Sequence, residues 1–279
     1  MIVGLFHNTI RADEKLIINA AKRLGAKIIS YNIDDLLLDK ENFKVEFDVA
    51  LNRSVSNTKG RYLTFFLESL GVTVVNSSSV LLNCEDKFLT SLRLREKNVP
   101  TVEFTMAFSL QSAKKAVGEF GGYPVIIKPP LGSWGRLLAK INDDDSLEAV
   151  IEHKMGLQSA YHKAFYIQKY IDKKGRDIRV FVIGDKPICA IFRYSSHWIT
   201  NTARGGVAAN CPLNKQLVSV CQKAARAIGG GILAMDVFET DGGYLINEIN
   251  HTMEFKNSEK PTGVSISEEI VKYCLKIKN

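Results

Sequence analysis

Over residues 1–80, short apolar runs alternate with stretches of helical spacing that stop at glycine, and this alternation leaves few folds open. The runs Ile2–Phe6, Lys27–Tyr31, Val49–Leu51 and Val72–Val75 predict strands. Between them, Asp13–Leu24 ends at Gly25 and Tyr62–Leu70 ends at Gly71, as helices do. Strands that alternate with helices build a parallel sheet covered on both faces, so the fold class is α/β. No Gly-x-Gly-x-x-Gly follows Phe6, and this first unit is therefore not read as a dinucleotide-binding domain.

The pattern then changes. A helix is expected over Asp86–Glu96, strands over Thr101–Ala107, Pro124–Lys128 and Leu137–Lys140, and helices near Leu110–Glu119 and Ser146–Lys154. From Ala164 strands dominate: Phe165–Tyr170, Ile178–Ile183, Lys186–Tyr194, Leu233–Glu239 and Tyr244–Ile249, with helices at Lys215–Ile228 and Ser265–Leu275. Lys174-Gly175, Gly184-Asp185 and Asp241-Gly242-Gly243 read as hairpin turns. Three regions follow: 1–85, 86–163 and 164–279.

Composition excludes several classes. No stretch approaches about 20 uninterrupted apolar residues, so no membrane span is expected. The start, Met1–Phe6, lacks a basic segment and reads as a strand rather than a signal peptide. The five cysteines form no Cys-x-x-Cys pair and suit a reducing cytoplasm. The net charge of +7 is spread along the chain with no basic tract interleaved with aromatics, which argues against nucleic acid. A triphosphate site and an acidic partner account for the excess as well.

The residues that carry chemistry lie mostly in the second and third regions. Asp236 sits on one apolar run, and the next ends in Asn247-Glu248-Ile249-Asn250. Two carboxylates and an amide at strand ends are hard oxygen ligands of the kind magnesium takes, and magnesium in a soluble enzyme usually accompanies a nucleotide. Gly132-Ser133-Trp134-Gly135-Arg136 can turn backbone N–H groups toward phosphate oxygens, although taken alone it also suits a plain turn. It is not a Walker A loop. Lys128 closes the run Val125-Ile126-Ile127 just before it, well placed to neutralise phosphates. Lys87 is a further cationic candidate, and Gln168-Lys169-Tyr170-Ile171 offers polar backbone for an adenine edge. Arg179 and Arg193 interrupt apolar runs, and a buried arginine needs an anionic partner. Asn201-Thr202-Ala203-Arg204-Gly205-Gly206 combines amide, guanidinium and flexible backbone in a span suited to an anionic acceptor.

In this order along the chain, these motifs resemble the ATP-grasp ligases, in particular the RimK-like branch that adds amino acids to a protein C-terminus. The resemblance covers essentially the whole chain. Its most specific strings are Leu131–Leu138, His197–Gly206 and Asn250–Ser258, which are most similar to the aminoadipate–LysW ligases. It implies an ATP-grasp fold preceded by an N-terminal parallel-sheet (pre-ATP-grasp) domain. The central region would be the small ATP-grasp subdomain with its glycine lid, and the third region would carry the metal and substrate sites.

Carried over residue by residue, the resemblance assigns ATP phosphates to Lys87 and Lys128 and the lid to Gly132, Ser133, Trp134, Gly135, Arg136, Leu137 and Leu138. Gln168, Lys169, Tyr170, Ile171, Asp177 and Arg179 would line the nucleotide pocket, with Asn201 or Thr202 beside it. Asp236, Glu248 and Asn250 would hold magnesium, as two ions. Arg193, Ala203 and Arg204 would contact the amino-acid acceptor or the acyl end, and Glu254, Phe255, Lys256, Asn257 and Ser258 would complete the amino-acid pocket. Lys128, Arg179 and Arg204 are the expected catalytic cations. Asn257-Ser258 matches the Asn-(Thr/Ser) signature of aminoadipate recognition, where glutamate-adding relatives commonly carry Gly-Phe.

The implied activity is ATP-dependent ligation of L-2-aminoadipate to the acidic carrier protein LysW in cytoplasmic lysine biosynthesis, by a homo-oligomer. The alternatives are glutamate ligation to the same carrier in arginine biosynthesis, dual specificity, or glutamate addition to another protein C-terminus. A non-catalytic nucleotide-binding module is disfavoured because the lysines and oxygen ligands are all present.

Overall fold

The alternation in the first region produces a parallel four-stranded sheet. It is built from β1 (Ile2–His7), α1 (Ala12–Arg23), β2 (Lys27–Asn32), β3 (Val49–Asn52), α2 (Asn57–Ser69) and β4 (Val74–Val75), with strand order β2-β1-β3-β4. The computed structural model describes residues 1–132, 137–200 and 206–277. On one face of the sheet Phe6, Ala50, Leu63 and Leu67 pack together. On the other, Val3, Leu5, Val49 and Leu51 share a core with α1 and with residues near the C-terminus. Both faces are buried, as the continuous apolar runs require.

Two helices follow, α3 (Ser78–Glu85) and α4 (Lys87–Glu96). Sequence reading missed α3, a helix of only eight residues capped by the Ser77 hydroxyl on the Val80 N–H. Asp86, expected as the first residue of α4, is its cap: the carboxylate accepts the N–H groups of Phe88 and Leu89.

The central sheet contains β5 (Phe104–Ala107), β6 (Val125–Lys128), β7 (Ala139–Ile141) and β8 (Phe165–Lys169) in the order β5-β8-β6-β7, all antiparallel. Helices α5 (Leu110–Glu119) and α6 (Asp144–Met155) cover one face through Ala113, Val117, Leu147 and Ile151. The opposite face, bearing Ile126, Lys128 and Gln168, borders the cleft described below.

The third sheet comprises β9 (Arg176–Ile183), β10 (Lys186–Tyr194), β11 (Val207–Asn210), β12 (Ile232–Thr240) and β13 (Gly243–Asn250), in the order β11-β10-β9-β12-β13. The expected turn at Gly184-Asp185 is a two-residue hairpin, with Gly184 at φ +65°, and the turn expected at Asp241-Gly242-Gly243 is one residue shorter, because Gly243 already pairs with Thr240. Lys174-Gly175 is not a hairpin turn. It links β8 to β9, which lie in different sheets. β11 escaped sequence reading because Val207–Asn210 is short and largely unburied.

Helix α7 (Lys215–Ile228) lays Leu217, Cys221, Ala224 and Ile228 on Val180, Val182, Leu233 and Met235. The short α8 (Glu259–Thr262) and the final α9 (Ile266–Lys276) complete the chain, and α9 packs on α1. Phe181, Ile191 and Ala234 on the other face join Ile270 and Cys274 of α9 and Leu5 of β1 in one core. The first and third sheets therefore share a hydrophobic interior. All five cysteines are buried and free, and no described helix is long and apolar enough to cross a membrane.

Candidate active site

Strand periodicity explains where the site lies. Residues 181, 191 and 234 face the shared core, and two steps along each strand the same face turns polar at Arg179, Arg193 and Asp236. The register puts Arg179 directly opposite Asp236, Asp236 opposite Glu248, and Arg193 opposite Asp177. Asn250 stands opposite Ala234, so Asp236, Glu248 and Asn250 share this face. A register shift beside Asp236 leaves Asn247 unpaired between Ile246 and Glu248. That bulge directs Asn247 at the central sheet, where its Oδ1 accepts Lys128 Nζ at 2.9 Å.

The charges form a connected row. Arg193 donates to Asp177 through Nε and Nη2, both at 2.7 Å, and its Nη2 is also 3.1 Å from Asp236 Oδ2. Arg179 donates to Asp236 at 2.8 and 3.1 Å. Burial would raise the Asp236 pKa, but Arg179 and Arg193 outweigh it and hold this carboxyl well below the usual range. The converse applies to Arg193, where burial is outweighed by Asp236 and Asp177 and the pKa rises. Burial pushes Lys128 down to about 8 despite the attraction of Glu248.

Lys87 begins α4, and its backbone N–H bonds to the Pro130 carbonyl at 3.0 Å. Its Nζ donates to the Gly132 carbonyl and lies 3.7 Å from Glu248 Oε1. The lysine is thus anchored beside the start of the glycine segment. Gln168 is buried, borders the cleft and donates Nε2 to the Tyr166 hydroxyl at 2.8 Å.

These residues line an open cleft of about 1660 Å³ between the three sheets, counting the space at its mouth. Lys87, Lys128, Gly132, Leu138, Gln168, Lys169, Tyr170, Ile171, Asp177, Arg179, Arg193, Asp236, Glu248, Asn250 and Glu254 all border it. A smaller cavity of about 620 Å³ adjoins it through Arg179, Arg193 and Glu254, and is otherwise lined by Ile191, Lys256, Asn257 and Ser258.

Not every expected residue faces these spaces. Phe255 lines neither one: its ring is buried in the shared core, with the Arg53 guanidinium 5.9 Å above it. Leu137 borders neither cavity and is 52% exposed. Ser133, Trp134, Gly135, Arg136, Asn201, Thr202, Ala203 and Arg204 lie outside the described residues.

Sequence reasoning missed Lys173 and Arg11. Lys173 Nζ bonds to Thr200 Oγ1 at 3.1 Å, stands 3.9 Å from Asp177 and lies over the Phe238 ring. Burial lowers its pKa while Asp177 opposes the shift. It precedes β9 in a polar stretch that gives no periodic signal. Arg11 borders the cleft from the first region and pairs with Glu254 at 2.9 Å, a partner 243 residues away.

A magnesium ion can be tested against these donors. Among the described residues no three His, Cys, Asp or Glu side chains cluster to enclose a metal. The set is two carboxylates and an amide on adjacent strands, and Asn250 Nδ2 is buried without a hydrogen bond among the described residues. Magnesium keeps near-octahedral oxygen coordination and usually draws several ligands from substrate phosphates and water. An incomplete oxygen set beside two cleft lysines fits that requirement.

Comparison with known proteins agrees with this geometry. A RimK-like ATP-grasp domain matches residues 84–274, and a LysX preATP-grasp domain matches residues 3–82. The chain is 35% identical to the alpha-aminoadipate–LysW ligase LysX of Saccharolobus solfataricus over 92% of its own length and 94% of the relative's. It is 34% identical to the glutamate–LysW ligase ArgX of Sulfurisphaera tokodaii over 98% of both. The ATP-grasp ligase PsnB, solved with minimal precursor, Mg and ADP, superposes with a TM-score of 0.72 at 16% identity, covering 98% of this chain and 97% of that one.

Proposed function

The chain belongs to the RimK-like ATP-grasp family, and from that premise we propose that it ligates L-2-aminoadipate, through its α-amine, to the C-terminal glutamate carboxylate of a small acidic LysW-type carrier in lysine biosynthesis. The observation that carries this reading is the in-register row Arg179–Asp236–Glu248, facing Lys128 and Lys87 across one cleft that opens into the Asn257–Ser258 cavity.

In this reading a carrier carboxylate oxygen attacks the γ-phosphorus of ATP, and the bond to ADP breaks. The aminoadipate nitrogen then attacks the acyl carbon, phosphate leaves, and the amine gives up a proton to form the amide. Carboxylate and triphosphate are both anionic, so a large part of the barrier is repulsion. Lys87 and Lys128 would hold the phosphates, and Arg179 and Arg193, already fixed by Asp236 and Asp177, would present preorganised positive charge. Asp236, Glu248 and Asn250 would hold two magnesium ions, whose chemistry is to screen the oxygens of the transferring phosphoryl group.

Gln168–Ile171 would meet the adenine, and the segment 132–138 would close over the phosphates to exclude water. Asn201–Arg204 would complete the nucleotide and acceptor contacts, as the family resemblance implies. Glu254, Lys256, Asn257 and Ser258 would receive the amino-acid side chain. A homo-oligomeric enzyme in the cytoplasm belongs to the same reading.

A second reading, glutamate as amino donor, is favoured by one observation: the identity to the ArgX relative, 34%, nearly equals that to LysX, 35%. One methylene separates the two substrates, a difference worth roughly 1–3 kcal/mol in an apolar site. The test is kcat/KM for aminoadipate and glutamate on the same carrier. The proposal expects aminoadipate to be preferred by about tenfold or more. Equal values or a glutamate preference would transfer the enzyme to the second reading.

A further inference from the structure

Residues 251–258, which follow β13, have no strand or helix of their own, yet Met253 and Phe255 are buried within them. What fixes this segment comes from the opposite end of the sequence. Asp13, in the first turn of α1, accepts the backbone N–H groups of Phe255 at 2.9 Å and Lys256 at 2.7 Å on one oxygen, Oδ1. Just before these two, Arg53 Nη1 donates to the Met253 carbonyl at 2.8 Å. The wholly buried Glu14 orients Arg53 at 3.0 Å and Arg11 at 2.9 Å.

Asp13 is 1% exposed and borders neither cavity, so it cannot touch a substrate. A carboxylate so deeply buried is costly unless N–H groups or cations satisfy it, and two consecutive peptide N–H groups do so here. Its place in the first turn of α1 adds the favourable end of the helix dipole. The clamp is therefore stiff. It grips the chain immediately before Asn257 and Ser258, which share the smaller cavity with Arg193.

We propose that Asp13 is a positioning residue for amino-acid selection. By holding the peptide groups of residues 255 and 256, it sets the distance between Asn257–Ser258 and Arg193, and with it the length of dicarboxylic amino acid the cavity accepts. This rests on the reading above, in which Glu254, Lys256, Asn257 and Ser258 border the amino-acid pocket. A pocket that must distinguish diacids differing by one methylene depends on this distance, because such discrimination spans only about 10–200-fold.

The test compares wild type, Asp13→Ala and Asp13→Asn for the aminoadipate-to-glutamate ratio of kcat/KM, the KM for ATP, and Tm. Asp13→Ala is expected to change the ratio by about fivefold or more through the KM for the amino acid, with the KM for ATP within about twofold. Asp13→Asn keeps an acceptor oxygen in place and is expected to restore the wild-type ratio. A ratio unchanged in Asp13→Ala, whatever happens to Tm, overturns the proposal. Should that variant fail to fold, Asp13→Ser supplies a hydroxyl too short to reach both N–H groups, and the same shift is required of it.

The two amino acids are also titrated calorimetrically against each protein. If wild type ligates neither amino acid, the functional reading fails, and the ratio of Kd values then decides the clamp by the same criterion. Absence of binding by both overturns the clamp as well.

Discussion

Arg179 on β9 and Asp236 on β12 face each other in register and are joined by hydrogen bonds of 2.8 and 3.1 Å, with Arg193 reaching the same carboxylate at 3.1 Å. Asp236 thus has two tasks in the proposed account. It anchors two cationic side chains of the cleft and stands in the oxygen set for magnesium.

Replacing Asp236 by alanine should therefore cost stability as well as activity. Leaving the buried Arg193 with one fewer partner, and Arg179 with no carboxylate partner among the described residues, predicts destabilisation of about 3–5 kcal/mol. Chemical denaturation of Asp236→Ala checks this, and Asp236→Asn, which keeps the shape, should lose less.

Glu248 behaves differently. Its side chain is 25% exposed, and Lys87, the one cation within ion-pair distance among the described residues, is 3.7 Å away. Glu248→Gln should leave Tm close to wild type while raising the magnesium concentration for half-maximal activity by about tenfold or more. An unchanged magnesium requirement would remove Glu248 from the proposed metal set.

Lys128 makes ATP binding depend on pH. Burial lowers its pKa to about 8, so in the free protein it is charged below that pH and neutral above it. Affinity for ATP, measured by titration, should fall as pH rises through about 8, and Lys128→Met should bind weakly with a flatter profile. Stability runs the other way. The unfolded chain holds this proton up to the ordinary 10.5, so Lys128 adds stability as pH climbs from about 8 toward 10.5 and loses it as pH falls back through about 8.

How much of this was legible in sequence follows from what sequence records. Lys128, Asp236 and Glu248 stand out because each breaks or ends an apolar run; strand pairing then brings Asp236 and Glu248 to one face of the third sheet, and Lys128 meets them across the cleft from the central sheet. Arg193 announces itself in the same way, as a charge within Ala190-Ile191-Phe192-Arg193-Tyr194. The partners of these residues were not legible. The bulge that turns Asn247 onto Lys128 depends on strand pairing, and the Asp13 contacts to Phe255 and Lys256 span more than 240 residues. Phe255 lay within a string that resembles a substrate pocket, yet apolar burial draws its ring into the shared core.

Selection of the amino acid should respond to residues 257 and 258. Ser258 is buried at the edge of the smaller cavity, where a phenyl ring would take up length that the longer diacid needs. The double variant Asn257→Gly, Ser258→Phe should lower the aminoadipate-to-glutamate ratio of kcat/KM by about tenfold or more. Comparison of initial rates on one carrier checks it.

The proposed enzyme joins an amino acid to a carrier carboxylate and converts ATP to ADP and phosphate in doing so. The most direct measurement is the intact mass of a purified LysW-type carrier after incubation with this protein, ATP, magnesium and L-2-aminoadipate. A gain of one aminoadipyl group per carrier is expected, matched one to one by ADP and phosphate and absent without ATP. A carrier of unchanged mass with aminoadipate and with glutamate alike would contradict it.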